Sequence, residues 1–162
     1  ADKFELHNVA LASDKVGHLL FELSPKNFGD HRIRLSNSPG LSGEEKRKVI
    51  NVETNSLDRA CEKINLDDCI ISMDTQGFEG DILSGASSII DACVPIITEF
   101  YPYGLIRANG LNKFYSALSN SKYTTFYDLR NPTIGINFSI SALKKIADEL
   151  GANEAFTDLL IH

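Results

Sequence analysis

The sequence predicts an α/β fold in which a mostly parallel sheet is flanked by helices. Three observations carry that expectation. From residue 49 onward, short apolar runs alternate with segments whose apolar residues recur at the 0, 3, 4, 7 spacing of one helical face. The run Cys69–Met73 is almost continuously apolar, as in a strand covered on both faces. Strand–helix–strand units of this kind force parallel neighbours joined by right-handed crossovers.

Taken in order, Phe4–Ala12 and Gly17–Leu23 read as two strands around an Asp14-Lys15 turn. Ser24–Lys48 is rich in Ser, Gly, Pro and Asn and has no helical period. A connection that long is either a binding loop or lid, or disordered. Val49–Glu53 predicts a strand, and Leu57, Ala60, Cys61 and Ile64 place a helix over Ser56–Ile64. After the Cys69–Met73 strand, Ser84 can cap a helix whose face is Ala86, Ile89, Ile90 and Cys93. Val94–Phe100 is the next strand, and Leu111, Phe114, Tyr115 and Leu118 mark another helix. Tyr123–Tyr127 and Thr133–Ile140 read as strands about an Asn131-Pro132 turn. Ser141 then caps a helix that Gly151 stops, and Asn153–Ile161 reads as a final amphipathic turn or two. No repeat or domain boundary interrupts residues 1–162, which read as a single domain.

Composition narrows the function classes. With 162 residues, 43% hydrophobic and 23% charged, the chain has globular proportions. Its longest apolar runs fall far short of a membrane span, and Ala1–Asp14 lacks the apolar core of a secretory signal. Sixteen basic against twenty-two acidic side chains give −6, which argues against a nucleic-acid partner, because phosphate binding needs surplus positive charge. A small molecule or another protein fits better. Cys61, Cys69 and Cys93 form no CxxC pair and read as buried reduced thiols, pointing to the cytoplasm. His7, His18, His31 and His162 show no metal-ligand spacing, so no metal site is expected from them.

The acids carry more information. Asp74 follows the Cys69–Met73 strand directly, at the carboxyl edge where open parallel sheets bind ligands. The turn Thr75-Gln76-Gly77-Phe78-Glu79-Gly80 follows it, and Gly77 and Gly80 allow positive φ or close approach of a ligand. Glu79 lies near a helix start, where the dipole favours its charged form. Glu99 ends the next strand, so acids from two strand ends can converge. Singly, Asp74 and Glu79 also read as ordinary helix-start residues. Together, Asp74 and Glu99 point to orienting or deprotonating a hydroxyl, or to holding a divalent cation. Phe100-Tyr101-Pro102-Tyr103-Gly104 can wall an acceptor site or simply pack.

These elements resemble a known family. Thr54-Asn55-Ser56-Leu57-Asp58, Ile70-Ile71-Ser72-Met73-Asp74-Thr75-Gln76-Gly77-Phe78-Glu79, Ile82-Leu83-Ser84-Gly85-Ala86 and Pro95-Ile96-Ile97-Thr98-Glu99 are similar to the ordered motifs of FkbM methyltransferases. Asn8-Val9-Ala10-Leu11-Ala12 and Asn27-Phe28-Gly29 resemble earlier motifs of that family, over about residues 4 to 140. Ser72 stands where the family commonly has Lys.

The resemblance implies a Rossmann-like, class I methyltransferase-type sheet lacking its first strands, because no glycine-rich cofactor turn precedes Phe4. It implies S-adenosylmethionine as cofactor, with Ala10, Leu11 and Asp74 beside it. Asp74 and Glu99 are the implied catalytic residues, and Asn27, Glu79 and Tyr101 the implied substrate contacts. The implied activity is O-methylation of a small-molecule or sugar hydroxyl by a fragment or truncated member. Two alternatives stand beside it. One is a non-catalytic binding or assembly module, with an exposed sheet edge favouring a homo-oligomer. The other is a magnesium-dependent enzyme using Asp74, Glu79 and Glu99.

Overall fold

The computed structural model describes residues 4–13, 17–34 and 36–162; the expected Asp14-Lys15 turn lies outside them. The first sheet comprises β1 (Ala10–Leu11), β2 (His18–Leu23), β3 (Arg32–Ile33) and β4 (Lys48–Asn55), in the order β1-β4-β2-β3. Strands β1 and β2 do not pair with each other, since both flank β4. The second sheet holds β5 (Ile71–Met73), β6 (Ile96–Phe100), β7 (Thr125–Asp128), β8 (Gly135–Asn137) and β9 (Thr157–Ile161), in the order β5-β6-β9-β7-β8.

Ladders are parallel at β1–β4 and β5–β6 and antiparallel elsewhere among the described residues. The expected mostly parallel sheet is therefore corrected to a mixed α/β fold with two mixed sheets. Two features cause the difference. Strands β2, β3 and β4 return on one another without a helical crossover. Strand β9 inserts antiparallel between β6 and β7, so those two strands share a direction without touching. Helical crossover joins parallel strands only at β5–β6, through α2 (Glu79–Leu83) and α3 (Ser87–Asp91).

Several local expectations change with this topology. Residues 153–161 were expected to be helical, yet Thr157, Leu159 and Ile161 are buried in alternation, the period of a strand. Ser84 closes α2 rather than opening a helix, its hydroxyl donating to Gly80 O. The amides of Ser88 and Ile89 at the start of α3 donate to the Asp58 carboxylate instead. Ser139, not Ser141, caps α6 (Ile140–Leu150), accepting from Ala142 N at 3.1 Å. Gly151, at φ 72, ends that helix as expected. Helix α1 (Leu57–Ala60) is capped by Ser56 but stops four residues short of Ile64. Strand β5 buries Met73 but exposes Ser72 on the opposite face, so coverage on both faces is not found.

The core packs on β6 and β9. Phe100 meets Phe114 of α5 (Leu111–Leu118) with ring centroids 5.4 Å apart, and Leu159, Ile161, Phe126 and Leu143 are fully buried. That packing fixes β6 and β9 as the platform from which Glu99 and Asp158 project. The three cysteines are free and half-buried, and burial pushes the Cys61 thiol up, away from its reactive form. Among the described residues no helix is long and apolar enough to cross a membrane.

Candidate active site

At the carboxyl end of β5 the chain reverses through two consecutive left-handed residues, Gln76 at φ 58 and Gly77 at φ 104. A Cβ on Gly77 would lie 2.3 Å from the backbone carbon of Gly104 in α4 (Pro102–Arg107), and one on Gly80 would lie 2.1 Å from Gly110 O. Of the two roles expected, Gly77 takes the positive φ, and both glycines admit the chain's own backbone rather than a ligand.

The turn also consumes Glu79. Its Oε1 accepts from Thr75 N and Thr75 Oγ1, each at 2.8 Å, and from Gly77 N at 3.4 Å. Glu79 is fully buried, and its Oε2 has no partner among the described residues. Burial pushes its carboxyl up despite those hydrogen bonds, so desolvation outweighs the expected dipole effect. Glu79 closes the turn and lines neither of the clefts described next.

Asp74 and Glu99 do come together. The Gln76 side-chain amide donates to Asp74 Oδ1 at 2.8 Å and to the Glu99 carboxylate at 3.2 and 3.4 Å. In the antiparallel β6–β9 ladder Glu99 stands directly opposite Asp158, so two acids share one face. Glu99 is 6% exposed. Its carboxyl is pushed up to about 8, first by burial and then by the charges of Asp74, Glu79 and Asp158, with Arg32 opposing.

Two clefts meet at this point. One, of about 460 Å³, is walled by Asp74, Glu99 and Asp158 on the sheet side, Tyr101 and Phe156 on the aromatic side, and Asn27. Tyr101 and Phe156 stand edge to face at 6.4 Å. The other, of about 290 Å³, lies between the ends of β1 and β5 and is lined by Ala10, Leu11, Phe78 and Ile82. Asp74 and Arg32 line both. The expected cofactor residues Ala10, Leu11 and Asp74 thus share one cleft. Asn27, Tyr101 and Glu99 share the other.

The family model of the methyltransferase FkbM domain matches residues 2–132. The chain belongs to the FkbM methyltransferase family. No curated protein and no solved structure matches it. The matched stretch of the FkbM domain includes Ala10, Asp74, Glu99 and Tyr101. Phe156 and Asp158, which complete the acidic cleft, lie beyond it, on or beside β9.

Between β2 and β4 the FkbM domain is ordered by buried ion pairs, not by apolar packing. Arg34 Nε donates to Glu22 Oε2 at 3.0 Å, and its terminal nitrogens reach the carbonyls of Glu44, Glu45 and Arg47. Asp30 is paired with both Arg32 and Arg47. Glu44, fully buried, accepts from Tyr103 Oη at 3.2 Å and lies 3.8 Å from Arg107 Nε. Of the two readings of Ser24–Lys48, disorder is not found among the described residues: Arg107 of α4 donates to the carbonyls of Ser38 and Pro39, while Asn27, Asp30, Arg32 and Ser42 line the acidic cleft.

Arg32, Gln76 and Asp158 are site residues that sequence reasoning missed. Arg32 and Gln76 bear no period or motif position that marks them. Asp158 was within reach, because the Thr-x-Leu-x-Ile alternation around it marks a strand beside Glu99. The three-carboxylate magnesium arrangement is not formed. Glu79 is turned into its own loop, and among the described residues no group of three His, Cys, Asp or Glu side chains is placed to hold a metal ion.

Proposed function

We propose that this FkbM domain is an S-adenosylmethionine-dependent O-methyltransferase acting on a hydroxyl of a small molecule or sugar. One observation carries the reading: an apolar cleft and an acidic cleft adjoin at Asp74 and Arg32. Donor and acceptor held in the two would meet there, as methyl transfer requires.

The residues present fit that assignment. Ala10, Leu11, Phe78 and Ile82 offer an apolar wall suited to a nucleobase, and Asp74 offers a carboxylate at its edge. When bound, S-adenosylmethionine supplies a methyl group on a sulfonium sulfur, which keeps the carbon–sulfur bonding pair as the new carbon–oxygen bond forms. Asp74 Oδ1 is engaged by Gln76, which leaves Oδ2 to accept from the acceptor hydroxyl and orient it. Glu99, with its carboxyl near 8, takes that hydroxyl's proton. Tyr101 and Phe156 form the apolar side of the acceptor cleft. A net charge of −6 and an acidic cleft suit a neutral hydroxyl compound better than a nucleic acid.

Calorimetric titration with S-adenosylmethionine is the direct test. Undetectable binding at millimolar cofactor would remove autonomous methyl transfer by this chain. In the active enzyme, Asp74→Asn is expected to lower turnover by roughly 10²–10⁴-fold with the fold intact. Wild-type turnover would reject its role. A second reading, a non-catalytic assembly module, draws on the edge position of β5 and the 57% exposure of Ile70. Self-association by sedimentation without cofactor binding would favour it.

A further inference from the structure

Gln76 sits where a glycine would serve the turn better. Its backbone is left-handed at φ 58, a region that disfavours any residue with a Cβ, and the left-handed residue after it is glycine. A long side chain retained at such a position needs a reason beyond the turn.

The side-chain contacts supply one. Arg32 Nη2 donates to Gln76 Oε1 at 3.3 Å, and a guanidinium can only donate, so the amide cannot be flipped. Its NH2 group therefore faces the acids, 2.8 Å from Asp74 Oδ1 and 3.2 Å from Glu99 Oε2. Arg32 is itself anchored by Asp30 and lies 4.0 Å from Glu22 and 3.7 Å from Glu44. A continuous line of polar contacts thus runs from the buried ion pairs to the two carboxylates.

We infer that Gln76 is a positioning residue that ties Asp74 to Glu99 and holds both facing the acceptor cleft. The chemistry of an amide suits this task. A lysine in its place would neutralise the acids it holds, and an aliphatic side chain would hold nothing. The amide donates to two carboxylates while adding no charge, so both acids keep their mutual repulsion and Glu99 keeps its displaced titration. The groups facing Glu99 from the packed elements are Asp74, Glu79, Asp158 and Arg32, and Gln76 is the neutral member among them.

The inference rests on the methyltransferase reading for its purpose but not for its test. Gln76→Gly removes the amide and relieves the backbone. Gln76→Glu keeps the shape and replaces the donor with a third negative charge. Melting and ¹³C-carboxyl NMR titration of Glu99 in the full chain require no acceptor. In Gln76→Gly the melting temperature is expected to hold or rise, while the Glu99 midpoint climbs by about half a pH unit or more as its donor is lost. In Gln76→Glu the midpoint climbs further. Wild-type titration of Glu99 in both variants would overturn the inference, as would loss of folding in Gln76→Gly. Failure of the wild-type chain to bind S-adenosylmethionine would instead strike the methyltransferase reading and leave these titrations to decide the role of Gln76.

Discussion

Two groups of acids lie side by side in this molecule and are treated in opposite ways. Glu22, Asp30 and Glu44 are enclosed with Arg32, Arg34 and Arg47, and each makes at least one ion pair. Asp74, Glu99 and Asp158, along the edge of the second sheet, have no cation within 4 Å among the described residues. A buried carboxylate costs several kcal/mol unless paired. The first group meets that cost with arginines and fastens a segment. In the second only Glu99 is buried, Asp74 and Asp158 being exposed; left without a cation beside a cleft, it shows that cost as a displaced titration. An ionised Glu99 costs stability, and a displaced carboxyl beside a cleft is what marks the second group as the candidate site.

Breaking the compensated group is expected to have the largest effect. Arg34→Ala leaves Glu22 without its 3.0 Å partner and strips donors from three backbone carbonyls. A loss of roughly 3–5 kcal/mol in urea unfolding is expected, as for a buried pair with one member removed. A loss under about 1 kcal/mol would show that the ion pairs decorate the segment rather than order it.

The uncompensated group gives a pH-dependent effect of the opposite sign. Glu99 titrates at about 8 in the folded chain against an ordinary value of 4.5. Between those values the unfolded chain has lost the proton and the folded chain still holds it, so stability falls as pH rises across that window and levels off above it. Glu99→Gln removes the effect. Relative to wild type it is expected to gain stability, on the order of a few kcal/mol, when unfolding at pH 9 is compared with unfolding at pH 5. The same variant is expected to lose the rise of turnover with pH through about 8. Equal pH dependence in both proteins would mean that Glu99 is not the strained group.

How far this contrast could be read from sequence depends on what carries each part. Asp74 and Glu99 were legible because strand ends fix where side chains go, and the run before each acid marks the strand. Ala10 and Leu11 were singled out by resemblance alone, and the structure places them with Asp74 along one cleft. Arg32, Arg34 and Arg47 were not legible, because pairs between residues 2 to 25 positions apart follow no period and depend on how the segment returns. Antiparallel pairing was hidden for a similar reason. Residues 153–161 read locally as an amphipathic turn or two, whereas Thr157–Ile161 forms a strand between β6 and β7. Missing β9 meant missing Asp158.

That residue offers the finest test of the contrast. Asp158 is exposed, yet its register places it directly across from Glu99. Like charges facing each other across antiparallel strands cost about 0.2–1 kcal/mol. Asp158→Asn removes the repulsion and keeps the shape. It is therefore expected to lower the Glu99 midpoint and to stabilise the chain by that amount above pH 8, where both acids are ionised. Near pH 4.5, where Glu99 is protonated, the stabilisation should vanish. A variant that is equally stabilised at both pH values would act through strand propensity alone. A Glu99 midpoint unmoved by the change would place the source of its displacement in burial and Asp74, and would take β9 out of the site.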